Sequence, residues 1–250
     1  MKIKHEWHKD FFKNSFYNPA SPAAVAKAPM EVAFVLKQLK LKKGARLLDL
    51  CCGPARHAAL IAGNGVAVTG YDFSADYLKE AAARAKKNKV KLNLVRGDMR
   101  ELKFHGEFDA AINLFTSFGY FQKFSDDMKV LKGVAAALKP GGLFMIDVVH
   151  GDFVRTHFRD RDWQLLEDGS YHLEESVLTN DKTGVFNTWT RISKTGGVSE
   201  KSFFTRLYNR RTLSAALINA GFKPLKFWGS FYGDKLTGKT IRLLILARKP

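Results

Sequence analysis

The chain has 250 residues, 46% of them hydrophobic, enough for one large core or two smaller ones, and no apolar run approaches the ~18 residues that span a bilayer. The opening MKIKHEWHKDFF puts charges where a secretory signal needs an apolar stretch, so a cytoplasmic location without membrane insertion is expected. A net charge of +17 attracts anions and makes RNA a candidate partner, while two adjacent cysteines, Cys51 and Cys52, exclude a disulfide scaffold and a structural zinc site.

In chain order, the first forty residues read as helical. Trp7, Phe11, Phe12, Phe16 and Tyr17 form an aromatic segment that ends in turn chemistry at Asn18-Pro19. Val25, Val32, Val35, Leu36 and Leu39 recur at helical spacing over Pro22 to Leu39, and Gly44 marks a turn. Arg46–Cys51 is a short apolar run ending at Gly53, as a buried parallel strand should be. A helix over Arg56–Ala62 stops at Gly63-Asn64-Gly65, and a second strand follows over Val66–Tyr71. Ser74 is placed to cap a helix running to about Lys86, with Asp76 in its first turn. Further strands are predicted at Lys91–Val95, Phe108–Leu114 and Leu143–Val149, with a helix over Asp126–Leu138 and a turn at Lys139-Pro140-Gly141-Gly142. This alternation predicts a doubly wound α/β fold whose mostly parallel sheet is covered on both faces.

The pattern changes after His150. Leu173–Leu178, Val185–Ile192 and Ser202–Tyr208 read as antiparallel strands joined by turns at Asn180–Gly184 and Thr195–Gly197. A helix over Thr212–Ala220, stopped by Gly221, precedes strands near Pro224–Tyr232 and Ile241–Arg248. The expected organisation is one domain: a helical cap over 1–44, a nucleoside-binding core over 45–150, an antiparallel lid over 151–208, and 209–250 completing the core sheet. Trp163, Tyr171, Phe186, Trp189, Phe203 and Phe204 are candidates for an apolar inner face of that lid.

The chemistry concentrates in Asp49-Leu50-Cys51-Cys52-Gly53-Pro54-Ala55-Arg56-His57, followed by Asp72 and Asp98 at the ends of the second and third strands. In an open parallel sheet, ligands lie across the carboxyl ends of strands. Asp72 is placed to accept bonds from both ribose hydroxyls, and Asp98 to meet an adenine amine. The Gly53–Asp72 spacing of about 20 residues also suits a nicotinamide dinucleotide. The loop argues against one: a pyrophosphate needs backbone N–H groups, Pro54 has none, and Ala55 replaces the second glycine. S-adenosylmethionine (SAM) carries no phosphate and accommodates this loop better.

These residues resemble the class I SAM-dependent methyltransferases, in a branch with a DLCCGPGRHA-like first motif. The resemblance continues through Gly70–Ser74, Arg96–Met99, Phe108-Asp109, Asn113–Phe121, Leu138–Gly142, Arg206–Tyr208 and Ala220–Phe222, nearly the whole chain. It implies a seven-stranded Rossmann-like sheet with N-terminal helices and an antiparallel lid inserted after strand 5, SAM as donor, S-adenosylhomocysteine as product, and no metal. It further implies that backbone at Cys51 and Gly53 holds the methionine part, with Asp49 supporting its amino group. Asp72 would take the ribose, Phe73 the adenine face, and Asp98 with the Met99 backbone the adenine amine. Asn113 and Leu114 would line the methyl-donating end. Ala55, where the family has glycine, carries backbone strain of roughly 1 kcal/mol if its φ is positive.

Methyl transfer to a nucleophile needs alignment in a dry cavity, and a base only when the acceptor arrives protonated. No side chain is a decisive catalyst. His150, Tyr120 and Tyr17 are candidate bases by location, and Ser117, Tyr120, His150 and Tyr232 are candidates for facing the acceptor. The roofed pocket predicts N- or O-methylation of a small molecule. Methylation of RNA, drawn to the basic last fifty residues, and a non-catalytic SAM-binding sensor or scaffold are the alternatives.

Overall fold

A computed structural model describes Trp7, Phe11, Phe12 and residues 17–250. The helical reading of the first seventeen residues therefore lies mostly outside the described residues. Helix α1 (Pro22–Leu39) starts where Ser21 accepts a hydrogen bond from the Ala24 N–H with proline in the first turn, and stops at Lys40 in the left-handed conformation.

The core then alternates β1 (Arg46–Leu50), α2 (Arg56–Gly63), β2 (Ala67–Asp72), α3 (Ala75–Lys87), β3 (Leu92–Arg96), β4 (Phe108–Asn113), α4 (Phe124–Ala137) and β5 (Leu138–Val149). Ser74 caps α3 through the Tyr77 N–H, and Asp76 complements its positive end. After the lid come α6 (Arg210–Asn219), β10 (Lys223–Trp228) and β11 (Arg242–Arg248). The seven strands lie in the order β10-β11-β5-β4-β1-β2-β3, with β11 antiparallel to β5 and β10. β1 has β2 on one side and β4 on the other, both parallel, so the order reverses at the carboxyl end of β1. β1, β4 and β5 are the buried centre, with Leu47, Leu48, Leu50, Ile112, Met145 and Ile146 sealed between helical layers. No helix of the described residues is long and apolar enough to cross a membrane.

The lid is inserted after β5. A short α5 (Gly151–Thr156) leads into a four-stranded antiparallel sheet, β6 (Arg161–Leu165), β7 (Tyr171–Leu178), β8 (Gly184–Ile192) and β9 (Val198–Arg206), in that order. Sequence periodicity missed α5 and β6. Every residue of β6 is exposed, so no buried face imposes an alternation to read. The Lys139–Gly142 turn is instead drawn into the start of β5, where Gly141 (φ +77°) and Gly142 bond across to Lys249.

The lid's inner face also differs from expectation. Residues on one face of a strand alternate, and the inner set is Glu174, Ser176, Val185, Asn187, Trp189, Phe203 and Thr205. Only Trp189 and Phe203 of the six predicted aromatics belong to it. Trp163, Tyr171, Phe186 and Phe204 point the other way by register.

The lid joins the core through a buried polar knot. Asp127 of α4 accepts bonds from Arg206 Nε (2.8 Å) and the Tyr208 hydroxyl (2.7 Å), and Arg206 Nη2 also donates to the carbonyls of Phe121 and Gln122. Burial pushes the Asp127 carboxyl up to about 6 despite these partners. A Cβ at Gly151 would stand 2.7 Å from Leu207 backbone, so glycine there lets the two crossings of the lid touch.

Candidate active site

The chain leaves β1 through three left-handed residues, Cys51 (φ +60°), Gly53 (φ +53°) and Ala55 (φ +58°). Two are not glycine, so the loop stores backbone strain of about 1–2 kcal/mol per residue. Asp72, at the end of β2, holds the loop in place. Its two oxygens accept the Gly53 and Ser74 N–H groups, each at 2.8 Å, leaving further lone pairs for a ligand. Burial raises the Asp72 carboxyl, and these N–H groups partly offset it.

Above this loop lies a cavity of about 1080 Å³, counting its open mouth. Asp49, Cys51, Gly53, Asp72, Phe73, Asp98, Met99, Leu114, Ser117, Tyr120 and Tyr17, eleven of the residues singled out from sequence, line it together. Asp49 is buried beneath it with no hydrogen bond assigned to its carboxylate; burial, then the neighbouring Asp72 charge, push it up to about 7, with Arg56 pulling the other way. Asp98 faces the cavity while its carboxylate is gripped by Arg100 at 2.5 Å. The Met99 sulfur lies 3.5 Å from Cys51 Sγ.

Three predicted residues lie elsewhere. Asn113 is wholly buried under the floor, its amide donating to the Leu50 carbonyl at 3.1 Å, because β4 passes between β1 and β5 there. His150 is also buried, with Nδ1 3.2 Å from the Thr240 carbonyl and Nε2 3.6 Å from Asp152, and it lines neither this cavity nor its neighbour. Tyr232 is 75% exposed on the surface, outside both.

A second cavity, about 1210 Å³ with its mouth, lies between the core and the lid. The two share Tyr17, Phe115 and Tyr120 as a common wall. Trp7 and Phe11 pack on Phe203 and Trp189, so the N-terminal segment and the lid build its aromatic side together. Trp189 lines the cavity wall, and its buried Nε1–H has no acceptor among the described residues. Glu174, at the outer end, is 3.0 Å from His172.

Phe115 is the residue that sequence reading missed. Phe115 (φ +58°) and Thr116 (φ +57°) are consecutive left-handed residues, pinned because Asp147 accepts both of their N–H groups. Arg242 clamps Asp147 in turn through both carboxylate oxygens. The Phe115 ring lies against His57 and Phe231, with the Arg56 guanidinium 3.8 Å and that of Arg242 4.5 Å from its centre. His57 Nε2 is 2.8 Å from Glu31 of α1, and burial lowers the imidazole's affinity for a proton, so a neutral ring donates to a carboxylate. Arg56 and His57 sat unassigned in the first motif. Glu31 and Arg242 had no signal, since each acts only through a partner distant in sequence.

Residues 47–142 match a family described as a methyltransferase domain. The chain is 26% identical to a putative methyltransferase, YqeM, of Bacillus subtilis over 85% of its own length and 87% of that protein. It is 31% identical to a glycine/sarcosine N-methyltransferase of Halorhodospira halochloris over 54% of this chain and 51% of that one, so it spans only about half of that relative. Among solved structures, the CcbJ methyltransferase of Streptomyces caelestis superposes with a TM-score of 0.80 at 19% identity, covering 95% of this chain and all of that one. The amino pentose methyltransferase CalS10 of Micromonospora echinaspora gives 0.66 at 22% identity, covering 95% and 99%. These two likenesses concern the fold. With the strand order, the loop after β1 and the matched domain agreeing, residues 47–142 form a methyltransferase domain, and the protein is a SAM-dependent methyltransferase.

Proposed function

We propose that this enzyme methylates nitrogen or oxygen of a small, largely apolar or aromatic molecule held in the second cavity. The carrying observation is that the two cavities adjoin, with Tyr17, Phe115 and Tyr120 bordering both, so an acceptor in the second lies beside a donor in the first and its nucleophile reaches the methyl carbon past these side chains. SAM, when bound, supplies an electrophilic methyl group, and the residues of the first cavity fit it. Asp49 offers a buried carboxylate with no salt bridge among the described residues, suited to an α-ammonium, and Arg56 on the same wall suits the α-carboxylate. Asp72 would take the ribose hydroxyls, and Phe73, Asp98 and the Met99 backbone the adenine. Backbone at Cys51 and Gly53 would hold the methionine chain and Leu114 the methyl end. Asp98 does this with Arg100 fixing its direction.

The acceptor's chemistry follows from the wall. Despite the +17 charge, both arginines lining the second cavity are paired, Arg242 with Asp147 and Arg159 with Asp162. Aromatic side chains exclude water, and the unpaired Trp189 Nε1–H calls for a hydrogen-bond acceptor on the ligand. On this reading segments 1–44, 45–150, 151–208 and 209–250 work as one domain: cap, donor site, lid and sheet completion. The excess positive charge supports polyanion methylation as a second reading.

Calorimetry with SAM, then transfer of labelled methyl to a panel of aromatic amines, phenols and RNA, tests both readings. Micromolar SAM binding, lost in Asp72→Ala, and turnover of an aromatic acceptor at least tenfold slower in Trp189→Ala are expected. Turnover untouched by Trp189→Ala would refute the cavity assignment, and salt-sensitive RNA methylation would favour the second reading. SAM binding with no turnover of any acceptor would leave a sensor.

A further inference from the structure

The lid has its amphipathic sides reversed at its far end. Leu165, Tyr171, Ile192 and Val198 are register partners in one row across all four strands, on the face turned away from the cavity. The next row inward on the same face is Trp163, Leu173, Thr190 and Glu200, and the one beyond it Arg161, Glu175, Thr188 and Ser202. On the opposite face, the row between the first two is Gln164, His172, Arg191 and Ser199. An antiparallel sheet with one solvated face puts its polar residues there. Here the apolar residues gather at the tip of the outward face. Nearer the core, Phe204 of that face is buried, so only the projecting half lies bare.

We propose that this outer face docks a second copy of the same chain, two lid sheets stacking face to face about 10 Å apart. Area and charge both select this occupant. Trp163, Leu165, Tyr171, Val177 and Val198 are 46–67% exposed. Together they offer roughly 500–600 Å² per copy, which brings a pair to the lower edge of the ~1,200 Å² that specific interfaces bury. Residues 151–208 hold nine acidic and eight basic side chains, so the whole positive excess of the +17 chain lies outside the lid. Two such chains repel everywhere else, and the lid is where they meet without that penalty. The same balance disfavours an anionic membrane or nucleic acid, which would be drawn to the basic remainder. The docked pair leaves the second cavity, on the opposite face of the lid, open, and no lid residue lines the first.

Sedimentation of the full chain between 1 and 200 µM tests this. The weight-average mass should rise from 28.1 kDa toward about 56 kDa as concentration increases. The double variant Trp163→Glu, Val198→Glu should stay monomeric across the range, with an unchanged melting curve and SAM titration that show it is folded. A wild type that stays monomeric overturns the proposal, as does a double variant that still dimerises. Monomeric wild type that co-sediments with phosphatidylserine vesicles, and loses this in the double variant, would assign the face to a membrane and also overturn it.

Discussion

Asp49→Asn should make the ligand-free protein more stable and a poorer binder of SAM, and the size of the first effect should depend on pH. Asp49 is buried with Asp72 as its nearest like charge, and its carboxyl is pushed from 3.8 up to about 7. The unfolded chain releases this proton near 3.8, the folded chain only near 7. Between those values the folded state binds more protons, so wild-type stability falls as pH rises through the window. Above pH 7 the ionised carboxylate costs on the order of 4 kcal/mol as an upper bound. Asparagine keeps the shape and carries no charge. Its gain should therefore be near zero at pH 4, roughly 1–2 kcal/mol at pH 5, and largest at pH 8, where it corresponds to several degrees of melting temperature. In the wild type, SAM binding near pH 7 should release about half a proton, measurable by calorimetry in two buffers of different ionisation enthalpy. The variant should release none there and should bind SAM at least tenfold more weakly at pH 8. A melting-temperature change that is equal at pH 5 and pH 8, or negative at pH 8, would refute the reasoning.

Ala55 is left-handed at φ +58° and buried, so Ala55→Gly should be neutral to about 1 kcal/mol stabilising in urea unfolding, whereas Ala55→Val should cost at least 2 kcal/mol. Arg206→Met strips the cation from buried Asp127 and frees the carbonyls of Phe121 and Gln122; stability at pH 8 should drop by about 2–3 kcal/mol. That loss should shrink toward pH 5, where Asp127, already pushed up to about 6, takes a proton. His150→Gln should leave kcat within about twofold of wild type, because the ring contacts Thr240 and Asp152 and faces neither cavity; a hundredfold loss with unchanged KM would restore it as a base.

The lining of the first cavity was legible because its residues are local to strand ends. A doubly wound sheet delivers every carboxyl end to one crevice, so knowing that Asp49, Asp72 and Asp98 terminate strands suffices to bring them together. Asn113 and His150 broke that inference by one side chain's direction. Both sit at the ends of central strands, yet one turns under the floor and the other toward the turn before β11. The acceptor side was not legible. Its wall is assembled from the N-terminal segment, the loop after β4, the lid and β11, which no periodicity relates.

The left-handed pair Phe115-Thr116 shows where the fold's strain is directed. Neither residue suits that backbone, and nothing local in the sequence forces it. It persists because Asp147 takes both N–H groups and Arg242 from the far strand holds Asp147. The strain sets the Phe115 ring on edge between the two cavities, where guanidinium groups of Arg56 and Arg242 flank it. On the proposed reading, a rigid border there would hold the line of approach between donor and acceptor more tightly than a relaxed loop, and a reaction governed by alignment depends on that line. The sheet's antiparallel strand β11 thus reaches the border of the two cavities through one aspartate and one aromatic ring.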